Sequence, residues 1–235
     1  MSRNQFELIR LKIKYSNNTA NNPNVKGWRV RAVLNLFQTN ILQYGHFQTA
    51  LSIDEMMVKS YAKTSLKEFI KGKPIRFGLK IWVMCTSNGY LLAWDLYCIK
   101  NNQIGDNLLT KCALDFRVVM KLLQNLLHVT VPRKFVLYHI YCYNYFTSFY
   151  LILHLKKRGL RAIGTIRKNR VKVKTAIDKK TARRTYAAKF DQNSKINYIT
   201  VMHSKEVSIA STAADVTSHS SLKRYSSKER STVPY

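Results

Sequence analysis

The run Thr49-Ala50-Leu51-Ser52-Ile53-Asp54-Glu55 alternates apolar and polar residues and ends on two carboxylates. A strand that delivers acids at its tip can serve metal chemistry. Hard divalent cations take oxygen ligands, and two of them held roughly 3.5 to 4 Å apart clamp the attacking and leaving oxygens of a phosphodiester. That chemistry needs further carboxylates beside Asp54, and the tip of the next central strand, Arg133 to Cys142, should supply one. It does not: Phe116 through Ile177 is a stretch of 62 residues without Asp or Glu. Asn144 and His139 offer only neutral ligands, which leave two dications unbalanced. Glu55, Asp95, Asp106 and Asp115 fall at a turn, on a hairpin or at the start of a long helix, where acids face solvent or cap. Asp54 as a metal ligand therefore competes with a reading in which it caps a helix or pairs with a nearby lysine.

The second chemical feature is positive charge. Lys156 to Lys189 carries 14 Lys and Arg residues against the single acid Asp178. Among them Lys156, Lys157, Arg158, Arg161, Arg167, Lys168, Arg170 and Lys172 are the candidate DNA-binding residues. Phosphates neutralised by such side chains release counterions, so six to ten contacts make affinity fall by about three to five decades between 50 and 200 mM salt. Backbone contacts of this kind carry no sequence information. The competing reading is a basic face without a ligand. A Gly-rich phosphate loop, a His-Glu-x-x-His pair and a nucleophilic serine elbow are all absent from the sequence. Lone histidines such as His46, His128 and His154 are ordinary core or surface residues.

These groups must be placed by secondary structure. Apolar residues at helical spacing predict helices over Ser2 to Lys14 (Phe6, Ile9, Ile13) and Trp28 to Tyr44 (Val30, Val33, Leu34, Leu36, Ile41), with a polar Asn-rich loop over Asn17 to Val25. Ile75 to Cys85 and Tyr90 to Ile99 are β-branched and aromatic runs joined by Thr86-Ser87-Asn88-Gly89, a strong hairpin signal. Asp106 to His128 reads as an amphipathic helix through Leu109, Cys112, Phe116, Val119, Leu123 and Leu126. Arg133 to Cys142 reads as a strand, followed by a helix capped by Thr147 or Ser148 that ends at Lys157 and Gly159. Leu160 to Ile166, Asn197 to His203 and Val207 to Ser211 read as strands. The order is that of an α/β fold with a mixed sheet flanked by helices. A hairpin flanked by strands, with acids at the end of the first, is how a ribonuclease-H-like core begins. The expected organisation is an N-terminal helical segment at 1–48, the core at 49–211 and a loose Ser, Thr and Lys-rich tail at 212–235.

Composition bounds the rest. The chain has 235 residues, 40 Lys plus Arg against 12 Asp plus Glu, and a net charge of +28, with 46% hydrophobic residues. That is globular rather than collagen-like or disordered material. Such a surface attracts polyanions, which puts nucleic acid first among partners, an anionic membrane surface second and acidic proteins third. Cys85, Cys98, Cys112 and Cys142 lack any CxxC pair and read as reduced thiols. The N-terminus has no apolar signal block. Phe135 to Leu155 runs 21 residues without formal charge, but strand, turn and helix explain it better than a membrane span.

Several blocks together resemble the transposase domain of the piggyBac family. They are Leu51-Ser52-Ile53-Asp54-Glu55-Met56-Met57-Val58, Lys73 to Val83 (KPIRFGLKIWV), Asn144-Tyr145-Phe146-Thr147-Ser148, and Leu155 to Leu160 continuing through Gly164 to Arg170. The opening Ser2-Arg3-Asn4-Gln5-Phe6 is similar to the segment that precedes that family's catalytic core. The resemblance covers nearly the whole chain. It implies a ribonuclease-H-like fold and descent from a cut-and-paste enzyme that moves DNA at TTAA sites with three Asp and Mg²⁺.

The resemblance also marks departures. Asp54 matches the family's first catalytic Asp, but Tyr143 stands where the family has the second, directly before Asn144. The third belongs to a Gly-Gly-Val-Asp motif that the family places beyond Tyr235, and the expectation is that truncation removes it together with the family's Cys-rich zinc module. The family's Gly-Arg reads Ala62-Lys63, its Tyr-Thr-Gly reads Tyr97-Cys98-Ile99, and its Trp-x-Asp reads Met202-His203-Ser204. A glycine held at positive φ would leave Ile99 strained. The expectation is a piggyBac-derived domain inactive in transposition, with Asp54 vestigial, no bound metal or cofactor (the ancestral one being Mg²⁺), and non-specific DNA binding through phosphates. No membrane partner is expected, and the location is nuclear. The alternatives are an active Mg²⁺-dependent transposase or nuclease, and a degenerate relic without function.

Overall fold

At Thr86-Ser87-Asn88-Gly89 the chain reverses in the computed structural model through a turn that the sequence requires. The Gly89 N–H donates to the Thr86 carbonyl at 2.9 Å and the Thr86 N–H donates to the Tyr90 carbonyl at 2.9 Å. Gly89 sits at φ +82°, a conformation open to glycine at little cost. The turn joins strands β3 (Phe77–Thr86) and β4 (Leu91–Leu96). The structure describes residues 1–16, 26–44, 48–61, 63–98, 112–127, 138–172, 177, 181–214, 223–226 and 231–234. They fall into two compact units, Met1–Phe146 and Thr147–Tyr235.

In the first unit, β1 (Ala50–Lys59) runs antiparallel to β3, from Leu51 opposite Thr86 to Lys59 opposite Gly78. Gly78 is a packing requirement there, since a Cβ on it would stand 2.3 Å from the Val58 carbonyl oxygen. β5 (His139–Cys142) pairs in parallel with the other edge of β1, from Ala50 opposite His139 to Ile53 opposite Cys142. A short β2 (Lys67–Phe69) lies against the start of β3. Strand order is thus β3, β1, β5, with β2 and β4 on the outer edge of β3. Alternation buries Leu51, Ile53 and Met57 from β1.

Three helices accompany this sheet. α1 (Arg3–Lys12) begins at a capping box, Ser2 with Gln5, and buries no residue. α2 (Trp28–Tyr44) packs on β4, as does α3 (Leu114–Leu127). Phe116, Val119 and Leu123 of α3 are buried as their spacing predicts. Three expectations change here. Asp54 and Glu55 were expected at a strand tip, yet β1 continues to Lys59, because β3 is long enough to pair with it throughout; only the parallel pairing with β5 stops at Ile53. β2 was not foreseen. The described helix α3 starts at Leu114 rather than Asp106, while Asn17 to Val25, 101–111 and 128–137 lie outside the described residues.

In the second unit, α4 (Phe149–Lys157) starts at Ser148, whose hydroxyl accepts from the Leu151 N–H at 3.2 Å. It ends before Gly159 at φ +76°. Strands β6 (Arg161–Ile166), β7 (Tyr186–Asp191), β8 (Ile196–Met202) and β9 (Glu206–Ser211) form an antiparallel array in the order β6, β9, β8, β7. Helix α4 packs on β6 and β9. Ile196, Tyr198, Thr200 and Met202 alternate inward along β8. β7 is largely exposed and held by its backbone ladder to β8, so its sequence lacks the apolar alternation that would have announced it. The tail expected to be loose contains a hairpin, β10 (Lys223–Ser226) with β11 (Ser231–Pro234). Its register sets Tyr225 opposite Thr232 and Arg224 opposite Val233.

All four cysteines are free, and full burial pushes the Cys142 thiol up to about 12. No described helix is long and apolar enough to cross a membrane. The uncharged stretch forms β5, a turn and α4 across its described part.

Candidate functional site

Asp54 directly follows the Ile53–Cys142 pair on β1, and Tyr143 directly follows it on β5. The acid and the tyrosine are thus the residues that follow the last pair of the parallel ladder on its two strands. Asp54 is half-buried, and its Oδ1 accepts from the Glu55 N–H at 2.8 Å. It caps no helix, and its carboxylate forms no ion pair among the described residues, so neither structural role expected for it holds. Its charge adds to burial in raising the Cys85 thiol. Tyr143 is 54% exposed.

The other candidate ligands do not gather there. Glu55 points to the opposite face of β1 by strand alternation and pairs with Lys73 at 3.3 Å. Asp95 pairs with Lys121 at 2.8 Å, and the Asp115 carboxylate accepts from the Phe116 N–H at 2.9 Å at the start of α3. His139 lies opposite Ala50, four residues back along β1 from Asp54 and so about 13 Å away at 3.3 Å per residue. Asn144 sits in the turn after Tyr143. Asp106 lies outside the described residues. Among the described residues no three His, Cys, Asp or Glu side chains stand together as a metal site. One carboxylate with neutral neighbours does not fit a pair of divalent ions.

A charged group that sequence reading missed lies on the Glu55 face. The Lys80 ammonium stands 4.0 Å from the Trp82 ring centroid, 5.0 Å from Tyr97 and 5.3 Å from Tyr145. Only the Lys80-x-Trp82 alternation on one strand hinted at it, because Tyr97 and Tyr145 arrive from distant parts of the chain. Burial lowers the Lys80 pKa, against the opposing pull of Glu55 and Glu68. The folded chain thus sheds this proton before the unfolded chain does. Between the lowered value and 10.5 the unfolded state binds more protons, and stability rises with pH across that window. A titration of the Lys80 side-chain NMR signals should show a midpoint below 10.5.

The basic candidates divide by use. Lys156 donates to the Ser194 carbonyl at 2.6 Å and to that of Lys195 at 3.4 Å, tying α4 to the β7–β8 turn. Lys168 pairs with Glu206, and the Arg170 Nη1 donates to the Thr147 carbonyl at 2.9 Å. Lys157, Arg158, Arg161, Arg167 and Lys172 are exposed. The structure thus gives Lys156, Lys168 and Arg170 roles inside the fold. Burial, with Arg158 and Lys157 nearby, lowers the His154 pKa. Lys174, Asp178, Lys179 and Lys180 lie outside the described residues.

A family profile described as Transposase IS4 matches residues 1–233. The chain is 29% identical over 171 residues to the human protein named PiggyBac transposable element-derived protein 3, covering 73% of this chain and 28% of that one. It is 27% identical over 218 residues to human PiggyBac transposable element-derived protein 2, covering 91% and 36% respectively. This chain thus spans roughly a third or less of those proteins. A solved piggyBac transposase synaptic complex with hairpin DNA shares its fold with a TM-score of 0.76 at 22% identity, covering 94% of this chain and 45% of that one.

Proposed function

The chain belongs to the Transposase IS4 family as a piggyBac-derived domain, and from that premise we propose that it binds DNA without cutting it. The observation that supports the inactive part is the parallel register of β1 and β5, which ends at Ile53 opposite Cys142 and leaves Asp54 and Tyr143 as the next residue on each strand. Two magnesium ions bring four positive charges, and a phenol in the place of a carboxylate removes one of the charges that would balance them. Glu55 is committed to Lys73 on the other face and does not compensate.

DNA as ligand is supported by the exposed cations of the second unit and by the neighbour solved with hairpin DNA. Binding runs through phosphates and is indifferent to sequence. A nuclear location is part of this proposal. The test offers the full chain a hairpin and a nicked duplex with Mg²⁺ present. The expected result is a cleavage rate equal to that of Asp54→Ala. Cutting that disappears in Asp54→Ala would overturn the inactive reading. In the same tubes, random and TTAA-containing duplexes should bind equally.

A further inference from the structure

Two phenylalanines on the outer part of the first unit's sheet stand in water. Phe69 and Phe77 are directly paired across β2 and β3, their ring centroids 6.3 Å apart and tilted by 48°. They are 60% and 58% exposed. Strand alternation from Val83, the partner of Asp54, through Ile81 and Leu79 puts Phe77 on the Asp54 face of the sheet. Met56 and Val58 lie on the same face and are partly exposed.

The charge around this patch is one-sided. Residues 59 to 77 hold six Lys and Arg against the single acid Glu68. Lys67 reaches to 6.0 Å from the Phe77 ring. At the end of β1, Lys59 stands 5.1 Å from the ring of Tyr61, which is 82% exposed. Arg76 adjoins Phe77 and is also exposed. Exposed aromatic faces interleaved with cations match the chemistry of unpaired nucleotides, whose bases stack while their phosphates meet the cations. A duplex hides its base faces and could use only the charges.

We propose that Phe69 and Phe77, with Lys67 and Arg76, form a stacking platform for single-stranded DNA on the first unit. This site is separate from the backbone-binding cations of the second unit. The test uses fluorescence anisotropy on the full chain at 150 mM salt. The probes are a 15-nucleotide oligothymidylate and an abasic 15-mer of equal phosphate count. The wild type should prefer the thymidylate at least tenfold. Phe69→Ala with Phe77→Ala should lower thymidylate affinity by about ten- to a hundredfold or more, from roughly 1–3 kcal/mol of stacking per base. Abasic affinity should stay unchanged. The gentler pair Phe69→Leu and Phe77→Leu keeps apolar bulk and should also lose most of the preference. Equal wild-type affinity for the two probes, or a Leu pair that binds as the wild type does, would overturn the proposal. Loss of duplex binding in a charge variant of the second unit, with the thymidylate preference intact, would support it.

Discussion

Lys157→Glu, Arg158→Glu and Lys172→Glu together are expected to weaken duplex binding by about three decades at 50 mM salt and to flatten the log–log salt slope by about 2.7. Each lost phosphate contact removes about 0.9 from the slope. Extrapolated from 1 M, it also removes about 1.2 decades of affinity at 50 mM. All three side chains are exposed, and none is tied into the hydrogen bonds and ion pairs that engage Lys156, Lys168 and Arg170. Reversal at Lys168 would instead set a second acid beside Glu206, and reversal at Arg170 would remove its bond to the Thr147 carbonyl, confusing lost binding with lost structure. Lys157 and Arg158 close the last turn of α4, so reversing them costs about 0.3–1 kcal/mol each against the helix dipole. That is too little to unfold a domain of ordinary stability, about 5–15 kcal/mol. Equal loss on random and TTAA duplexes, with a thermal transition that stays cooperative and falls by only a few degrees, is the expected result. Unaltered affinity would remove the basic face from the proposed function.

Much of this arrangement was legible because local chemistry and global fold agree. Asn88-Gly89 fixes its hairpin, Ser148 and Gly159 bound α4, and both restrictions operate within a few residues. What escaped depends on partners far along the chain. β7 holds its place through backbone bonds to β8 and shows no apolar alternation. The continuation of β1 past Asp54 follows from the length of β3, not from anything in residues 56–59. At the site, Asp54 and Tyr143 were each readable, but that they follow the same last pair of the ladder is a fact of parallel register. The division among the cations was illegible for a similar reason. Nothing in the run from Lys156 to Arg170 reveals that Ser194 and Glu206 will come back to meet it. Charge counting from sequence therefore overstates the surface open to DNA.

Trp82→Ala should cost about 3–5 kcal/mol, a large share of the roughly 5–15 kcal/mol of a typical domain. Trp82 is 1% exposed. It stacks on Tyr145 at 5.3 Å and meets Phe146 and Tyr97 edge-on at 5.2 and 5.5 Å. Such aromatic pairs add about 0.5–1.5 kcal/mol each beyond the area they bury. The cavity would open beneath Lys80, whose ammonium would lose its nearest ring. Urea unfolding should then show a midpoint clearly below that of the wild type. Trp94 supplies the contrast. It is 9% exposed, but its indole N–H is buried without a hydrogen-bond partner among the described residues. Trp94→Phe removes that unsatisfied donor, worth about 1–3 kcal/mol, along with some packing. The two effects oppose, and the midpoint should move little. The difference has a consequence at the site, because Tyr145 and Phe146 follow Tyr143 by two and three residues. Trp82 braces the turn that follows β5 and Tyr143. A Trp82→Phe variant, which keeps part of that brace, should fall between the two in stability; a midpoint equal to that of the wild type would show that the stacked cluster contributes little.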